Sequence, residues 1–303
     1  MTEPITPFHA GFVAIIGRPN VGKSTLVNAL MGQKIAAVSP RPQTTRRRQL
    51  GILTLKNAQV VFVDTPGLHI PHHKLGEYMN EEAAASLEHC DLVSWMVDAS
   101  EPPTEEDQLI AKRLARLAHR PAVLLVLNKT DRVKDEDLPA RQTQFVELLP
   151  FARPLAMSAY ASEGRQGYLE AVLEYLPEGA PFFAEDQITD LYEREIAMDL
   201  IREAALMHLR DEVPHALGVR IDEFKERNPD LNYIAATLLV EKESHKGIVI
   251  GQGGEMLKRI GSTARKSIES MTGAKVFLEL RVKVSKDWRD NPAILKVLGF
   301  GKK

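Results

Sequence analysis

Hydrophobic positions in the first 176 residues come in short unbroken runs separated by segments of helical spacing. GFVAIIG (11–17), QVVFVD (59–64), DLVSWMVD (91–98), PAVLLVLN (121–128) and RPLAMSA (153–159) read as strands. Several are apolar throughout, as parallel strands covered on both faces must be. Between them, LVNALMG, EYMNEEAAASLEH, TEEDQLIAKRLARLAH and GYLEAVLEYL have the spacing of helices. This alternation predicts a doubly wound α/β domain with a mostly parallel sheet over residues 11–176, after a short extension at 1–10. Pro177, Gly179 and Pro181 break the pattern and place a linker at 177–187. Residues 188–303 follow another rhythm and predict a smaller α+β domain. ITDLYEREIAMDLIREAALMHL (188–209) reads as one long amphipathic helix. VPHALGVRIDEF and LNYIAATLLVEKE then read as strands. A short helix, the helix EMLKRIGSTARKSIESM, the strand AKVFLELRVKVS (274–285) and a closing helix in NPAILKVLGF complete the order.

Composition narrows the class. With 44% hydrophobic and 26% charged residues, the 303-residue chain has the balance of a soluble globular protein. A single cysteine, Cys90, excludes an internal disulfide and suits a reducing cytosol. The start, MTEPITPFHAG, lacks the pattern of a secretory signal, and runs such as AVLLVL (122–127) are too short to span a bilayer, so a cytoplasmic protein is expected. The net charge of −2 conceals an asymmetry: from Glu241 onward there are 14 basic and 7 acidic residues, against 25 and 34 in the remainder. A basic end on an acidic body suits a polyanion, although a solvated lysine-rich face has the same composition.

Two glycine loops carry candidate chemistry. GRPNVGKS (17–24) fits GxxxxGKS between a predicted strand and a helix. Its N–H groups can surround a β-phosphate, Gly17 and Gly22 permit the close turn, Lys23 can reach the β- and γ-phosphates, and Ser24 can ligate Mg²⁺. DTPG (64–67) follows another strand, where Asp64 can hold Mg²⁺ through water and the Gly67 N–H can meet a γ-phosphate. In NKTD (128–131), the Asp131 carboxylate can accept guanine N1–H and N2–H₂, a pair adenine does not offer. Asn128 can contact N7, Lys129 can lie over the ring, and the N–H groups of Ser158 and Ala159 can meet O6. In this order at strand ends, the motifs point to GTP or GDP rather than ATP.

Residues 11–176 thus resemble a translation-factor-class small GTPase, with GRPNVGKST, QTTR, DTPG, NKTD and SAY matching its five motifs. The whole chain resembles the bacterial Era GTPase family, in which a P-loop GTPase domain precedes a type II KH domain. The resemblance implies nucleotide contacts from Gly17, Arg18, Pro19, Asn20, Val21, Gly22, Lys23, Ser24 and Thr25. It implies a Mg²⁺ ligand at Thr45, with Thr44 the close alternative, and catalytic roles for Lys23, Asn20, Thr45 and Gly67. In related GTPases an asparagine at the place of Asn20 helps hold K⁺, which implies K⁺-stimulated hydrolysis. Leu68 stands where Ras-like enzymes have a water-orienting glutamine, so intrinsic hydrolysis should be slow. His69, His72 and His73 lack a Cys or acidic partner at metal-site spacing.

The second loop, GQGG (251–254), lies between helical segments in GIVIGQGGEMLKRIG. Its neighbours match the type II KH arrangement, in which a GxxG loop admits a nucleic-acid backbone and the groove beside it holds about four unpaired nucleotides. Ile250, Gly251, Gln252, Gly253 and Gly254 are the candidate contacts. The family often has a basic residue inside the loop where this chain has Gln252 and Gly253. Lys246, Lys258, Arg259, Arg265 and Lys266 could compensate. Ile248, Ile250, Met256 and Ile260 suit core or groove wall. Trp288 suits packing in the last helix, with base stacking as its alternative. The resemblance implies a partner in the 3′ region of 16S rRNA and the 30S precursor, with no DNA expected. The competing class is a nucleotide-sensing scaffold peripheral to the inner membrane in cell-cycle signalling; an ATP-dependent kinase is disfavoured by NKTD.

Overall fold

The computed structural model describes residues 7–38, 45–119 and 121–300. Thr44 therefore lies outside the described residues. The chain divides into two compact units, the first built mostly from residues up to Asp190 and the second mostly from Leu191 onward.

Among the described residues of the first unit, six strands form one sheet: β1 (His9–Ile16), β2 (Gln49–Leu55), β3 (Ala58–Asp64), β4 (Leu92–Asp98), β5 (Ala122–Asn128) and β6 (Arg153–Ala156). Their order is β2-β3-β1-β4-β5-β6. All neighbours pair in parallel except β2, which joins β3 as an antiparallel edge. The helices are α1 (Lys23–Met31), α2 (Lys74–Ala85), α3 (Glu105–Ala115), α4 (Leu138–Leu148) and α5 (Ser162–Leu173). Each central strand is buried on both faces because two separate cores flank the sheet. Val13 and Ile15 of β1 belong to one core, and Ala14 and Ile16 to the other. The chain order reverses at β1, which opens the crevice where such sheets bind ligands.

The segment predicted as a linker is pinned to this sheet. Gln59 accepts from the backbone of Phe182 and Phe183 and donates to the Phe183 carbonyl. Ile52 N–H donates to Ile188 O, and Leu50 N–H to the Asp190 carboxylate. These bonds shorten the helix predicted to start at 188: α6 runs Glu193–His208, because Ile188 and Asp190 are engaged at the edge strand instead.

The second unit continues with β7 (Gly218–Asn228), β8 (Leu231–Val240), α7 (Glu243–Ile250), α8 (Glu255–Thr272), β9 (Lys275–Val284) and α9 (Pro292–Val297). β8 is central, antiparallel to β7 and parallel to β9. Ile234, Ala236 and Leu238 alternate into a core shared with Leu200, Ala204 and Ile201 of α6 and with Ile260, Ala264 and Ile268 of α8. The i, i+4, i+8 spacing of that last trio is why α8 buries one stripe and leaves its basic residues outside. Trp288 does not stack on a base. It is fully buried in a short 3₁₀ turn ahead of α9, and its indole N–H donates to Ala216 O at 2.9 Å, satisfying the polar atom that burial would otherwise strand.

Candidate nucleotide and RNA sites

At the C-terminal end of β1 the chain passes through two left-handed positions, Asn20 (φ 64°) and Gly22 (φ 109°), into α1. A Cβ on Gly22 would collide with Asn128 Nδ2, and its φ is one that side chains rarely adopt, so glycine suits the packing of the later motif on this loop. Gly67 is constrained in the same way. A Cβ there would meet the Pro19 nitrogen at 2.7 Å, so DTPG can lie against the loop only with glycine at that position. The Leu68 N–H donates to Gly17 O at 3.2 Å while its side chain enters the core. Leu68 therefore offers no group to an attacking water.

Lys23 is only 6% exposed and donates to the carbonyls of Gly17 (3.1 Å) and Arg18 (3.0 Å). Burial lowers its ammonium to about 8, against the attraction of Asp64. The three residues chosen for Mg²⁺ come together. Ser24 Oγ lies 2.8 Å from both Thr45 Oγ1 and Asp64 Oδ2, and Thr45 Oγ1 donates to that same carboxylate oxygen at 3.2 Å. Burial pushes the Asp64 carboxyl above its ordinary range, although Lys23 and the hydroxyls of Ser24 and Thr45 pull the other way. Asp64 Oδ1 is buried with no hydrogen-bond partner. Two hydroxyls and an orphaned carboxylate oxygen form an all-oxygen donor set that fits Mg²⁺.

Asn128 ties three loops together. Its Nδ2 donates to Val21 O (2.8 Å), and its Oδ1 accepts the Ala159 N–H (2.9 Å). The Ala159 N–H, expected at guanine O6, is thus engaged by Asn128 in this structure. Asp131 lies on a 3₁₀ turn (Thr130–Arg132) with its side chain 44% exposed, free to face a base. The Arg18 side chain turns to Glu101 (2.8 Å) and Asp107 (3.5 Å), leaving its backbone for the phosphate loop.

Asp98 was not found by the sequence reading. It ends β4 in register with Asn128 and accepts Lys129 Nζ at 2.5 Å and the Ser100 hydroxyl at 2.6 Å. Burial raises its carboxyl, but the bonds from Lys129 and Ser100 outweigh this and hold it below the usual carboxylate range. The ion pair fixes the Lys129 stem where the base would lie. No spacing rule links positions 98 and 129; only the parallel pairing of β4 with β5 does. Asp98→Ala should therefore speed release of a fluorescent GDP analogue by about tenfold or more, the value of one charged hydrogen bond. Stopped-flow dissociation measures it, and an unchanged rate would reduce Asp98 to a structural neighbour.

In the second unit, α7 ends at Gly251, and Gly254 is a left-handed N-cap (φ 82°) with no side-chain cap for α8. The Glu255 N–H turns back to Gln252 O, and no side chain caps the turn that follows. Lys258, Arg259, Arg265 and Lys266 are exposed on α8, and Arg259 lies 4.0 Å from Glu255. Lys246 on α7 lies 4.0 Å from Glu243. Ile260 is core, Met256 packs against the core, and Ile248 is half-exposed beside the loop.

Comparison with known proteins matches this geometry. Residues 12–129 match the family described as 50S ribosome-binding GTPase, and residues 212–289 match the KH domain family. The GTPase Era of Ruminiclostridium cellulolyticum is 46% identical over 293 residues, covering 97% of this chain and 98% of that protein. The chain belongs to the Era family of GTPases. A crystal structure of Era in complex with MgGDPNP and nucleotides 1506–1542 of 16S ribosomal RNA superposes with a TM-score of 0.92 at 38% identity, over 97% of this chain and all of that one. A point variant of Aquifex aeolicus Era bound to GDP·AlF₄⁻ gives the same score, identity and coverage. This chain is accordingly an Era-type GTPase with a P-loop domain and a C-terminal KH domain. No described helix is long and apolar enough to cross a membrane.

Proposed function

We propose that this Era-family GTPase is a nucleotide-controlled RNA-binding switch in assembly of the small ribosomal subunit. It takes the 3′ region of 16S rRNA, within the 30S precursor, on its KH unit in the cytoplasm. The observation that carries the reading is the meeting of Ser24, Thr45 and Asp64 beside Lys23. The Thr45 hydroxyl reaches the cluster suited to Mg²⁺, so the segment that carries Thr45 can respond to what the phosphate loop holds. Ser24, Thr45 and Asp64 would hold Mg²⁺, which supplies charge neutralisation at the phosphates. Lys23 and the N–H groups of residues 20–24 bind the phosphates, and Asp131 selects guanine. The RNA backbone is taken at Gly251–Gly254, with Lys246, Lys258, Arg259, Arg265 and Lys266 supplying charge.

RNA and GTP should tighten one another, by at least about fivefold if the coupling is of ordinary size. Titrating a labelled 16S 3′-end RNA against the protein loaded with a GTP analogue or with GDP tests this; equal affinities would sink the switch. Asn20, exposed and left-handed in the phosphate loop, supports K⁺ stimulation. Hydrolysis should therefore be faster in KCl than in NaCl of equal ionic strength, and equal rates would remove K⁺ from the mechanism. The alternative of a membrane-peripheral scaffold has no such observation in its favour, since the candidate cations sit along folded helices rather than on a free polybasic tail.

A further inference from the structure

The sheet of the second unit has two unlike faces. Leu278, Leu280 and Val282 of β9 pack towards the core with α7 and α8. The alternate residues point the other way, and there Phe277 is 58% exposed. In the β8–β9 register Phe277 stands opposite Tyr233. Their rings stack with centroids 5.9 Å apart and planes at 18°. The Arg227 guanidinium lies 4.7 Å from the Tyr233 ring centre. Tyr233 is further held by its hydroxyl, which donates to Glu279 Oε2 at 2.9 Å, and Glu279 is in turn held by Arg281 at 2.7 Å. This anchoring fixes the pair as a rigid platform.

Cations surround the platform. Lys225 pairs in register with Tyr233, and Lys275 and Lys283 project from the Phe277 side of β9. Glu279 is committed to Tyr233 and Arg281, and Asp222 to Arg220 and Thr237, leaving Glu223 as the remaining carboxylate opposite Ala235. A flat aromatic face among lysines and arginines is the chemistry that holds unpaired bases, by stacking with backbone neutralisation. It suits RNA better than a protein partner, whose contact surface is depleted in lysine.

We propose that this open sheet face is a second single-stranded RNA site, on which a base stacks on the outer face of Phe277, with Tyr233 backing that ring. The proposal rests on the reading of the Gly251–Gly254 groove as the first site. That groove holds about four nucleotides. β9 is an edge strand, with its core side next to α7 and α8 and its other side carrying Phe277. A longer RNA leaving the groove can therefore pass over this edge onto the platform.

The test uses the full chain with fluorescein-labelled RNAs of 4 and 12 nucleotides taken from the 16S 3′ segment. Phe277→Leu keeps apolar bulk and removes the flat face. It should weaken the 12-mer by about 5- to 100-fold, the range for one base–aromatic stack, and leave the 4-mer unchanged. Gly253→Asp, which sets a carboxylate in the first loop, should weaken both. Ultraviolet crosslinking of the wild type to the 12-mer should place nucleotide adducts on Phe277 or Tyr233. If Phe277→Leu binds both RNAs like the wild type while Gly253→Asp loses them, the sheet site is overturned and the groove stands. Absence of adducts on either ring also overturns it, whatever the variant's fold. A wild type that binds neither RNA overturns the groove reading, and this one with it.

Discussion

Replacing Lys23 with methionine is expected to weaken GTP binding by a hundredfold to a thousandfold while leaving the nucleotide-free protein at least as stable. The first half follows from losing a buried charge that faces phosphate, on the order of 2–5 kcal/mol. The second follows from the pKa. Burial takes the ammonium from its ordinary 10.5 to about 8. A lysine depressed in the folded state costs stability below that value, and the cost is relieved as pH rises above it. At neutral pH the penalty is on the order of 3 kcal/mol. Loss of the lysine's attraction for Asp64 offsets part of the gain. The wild type should also take up a proton when it binds nucleotide near pH 8, because phosphate restores the charged form. Its affinity should be flat below that pH and fall as pH rises through it. Calorimetry in buffers of different ionisation enthalpy reads the uptake, and thermal unfolding without nucleotide reads the stability. A methionine variant that melts well below wild type, or a wild type with no proton uptake, would contradict this account of Lys23.

The same residue shows what a sequence can and cannot disclose. The phosphate loop, DTPG and NKTD are legible because each must end a buried strand and each needs particular residue types at fixed offsets. Four strands of the first sheet, β1, β3, β4 and β5, are legible because burial on both faces leaves apolar runs; β6 is read from RPLAMSA although none of its residues is fully buried. β2 is not legible although QLGILTL meets the next strand across only Lys56 and Asn57, because that pair has no glycine and no positive φ to mark a hairpin turn. α4 was missed because Phe145 is its one fully buried side chain, too few to set a helical period. The start of α6 was misplaced because Ile188 and Asp190 bond to β2, more than 130 positions earlier in the chain. Asp98 and the Arg18–Asp107 pair were invisible for a related reason. Their partners meet only through strand order, and strand order is a property of the folded sheet.

Asp131→Asn should exchange the base preference from guanine to xanthine. Guanine presents two donors to position 131, N1–H and N2–H₂, and a carboxylate accepts both. The asparagine amide is the same size but offers one acceptor and one donor, so one guanine N–H would face an N–H with nothing to receive it. Xanthine carries a carbonyl in place of the 2-amino group and completes the amide's pattern. Where a site is built around hydrogen bonds, such a mismatch changes selectivity by a factor on the order of 10⁴. The fold should be indifferent, because the side chain is 44% exposed and its ion pair with Arg132, at 3.9 Å, is long. Displacement of a fluorescent nucleotide by GDP and by XDP reads the exchange; a variant that still prefers GDP would remove Asp131 from base recognition. A variant that does exchange gives a sharper instrument. In it, XTP but not GTP should raise affinity for the 16S 3′-end RNA. That outcome would tie the effect on RNA to occupancy of this pocket rather than to magnesium, ionic strength or a second guanine site, because XTP and GTP differ only in the base that residue 131 reads.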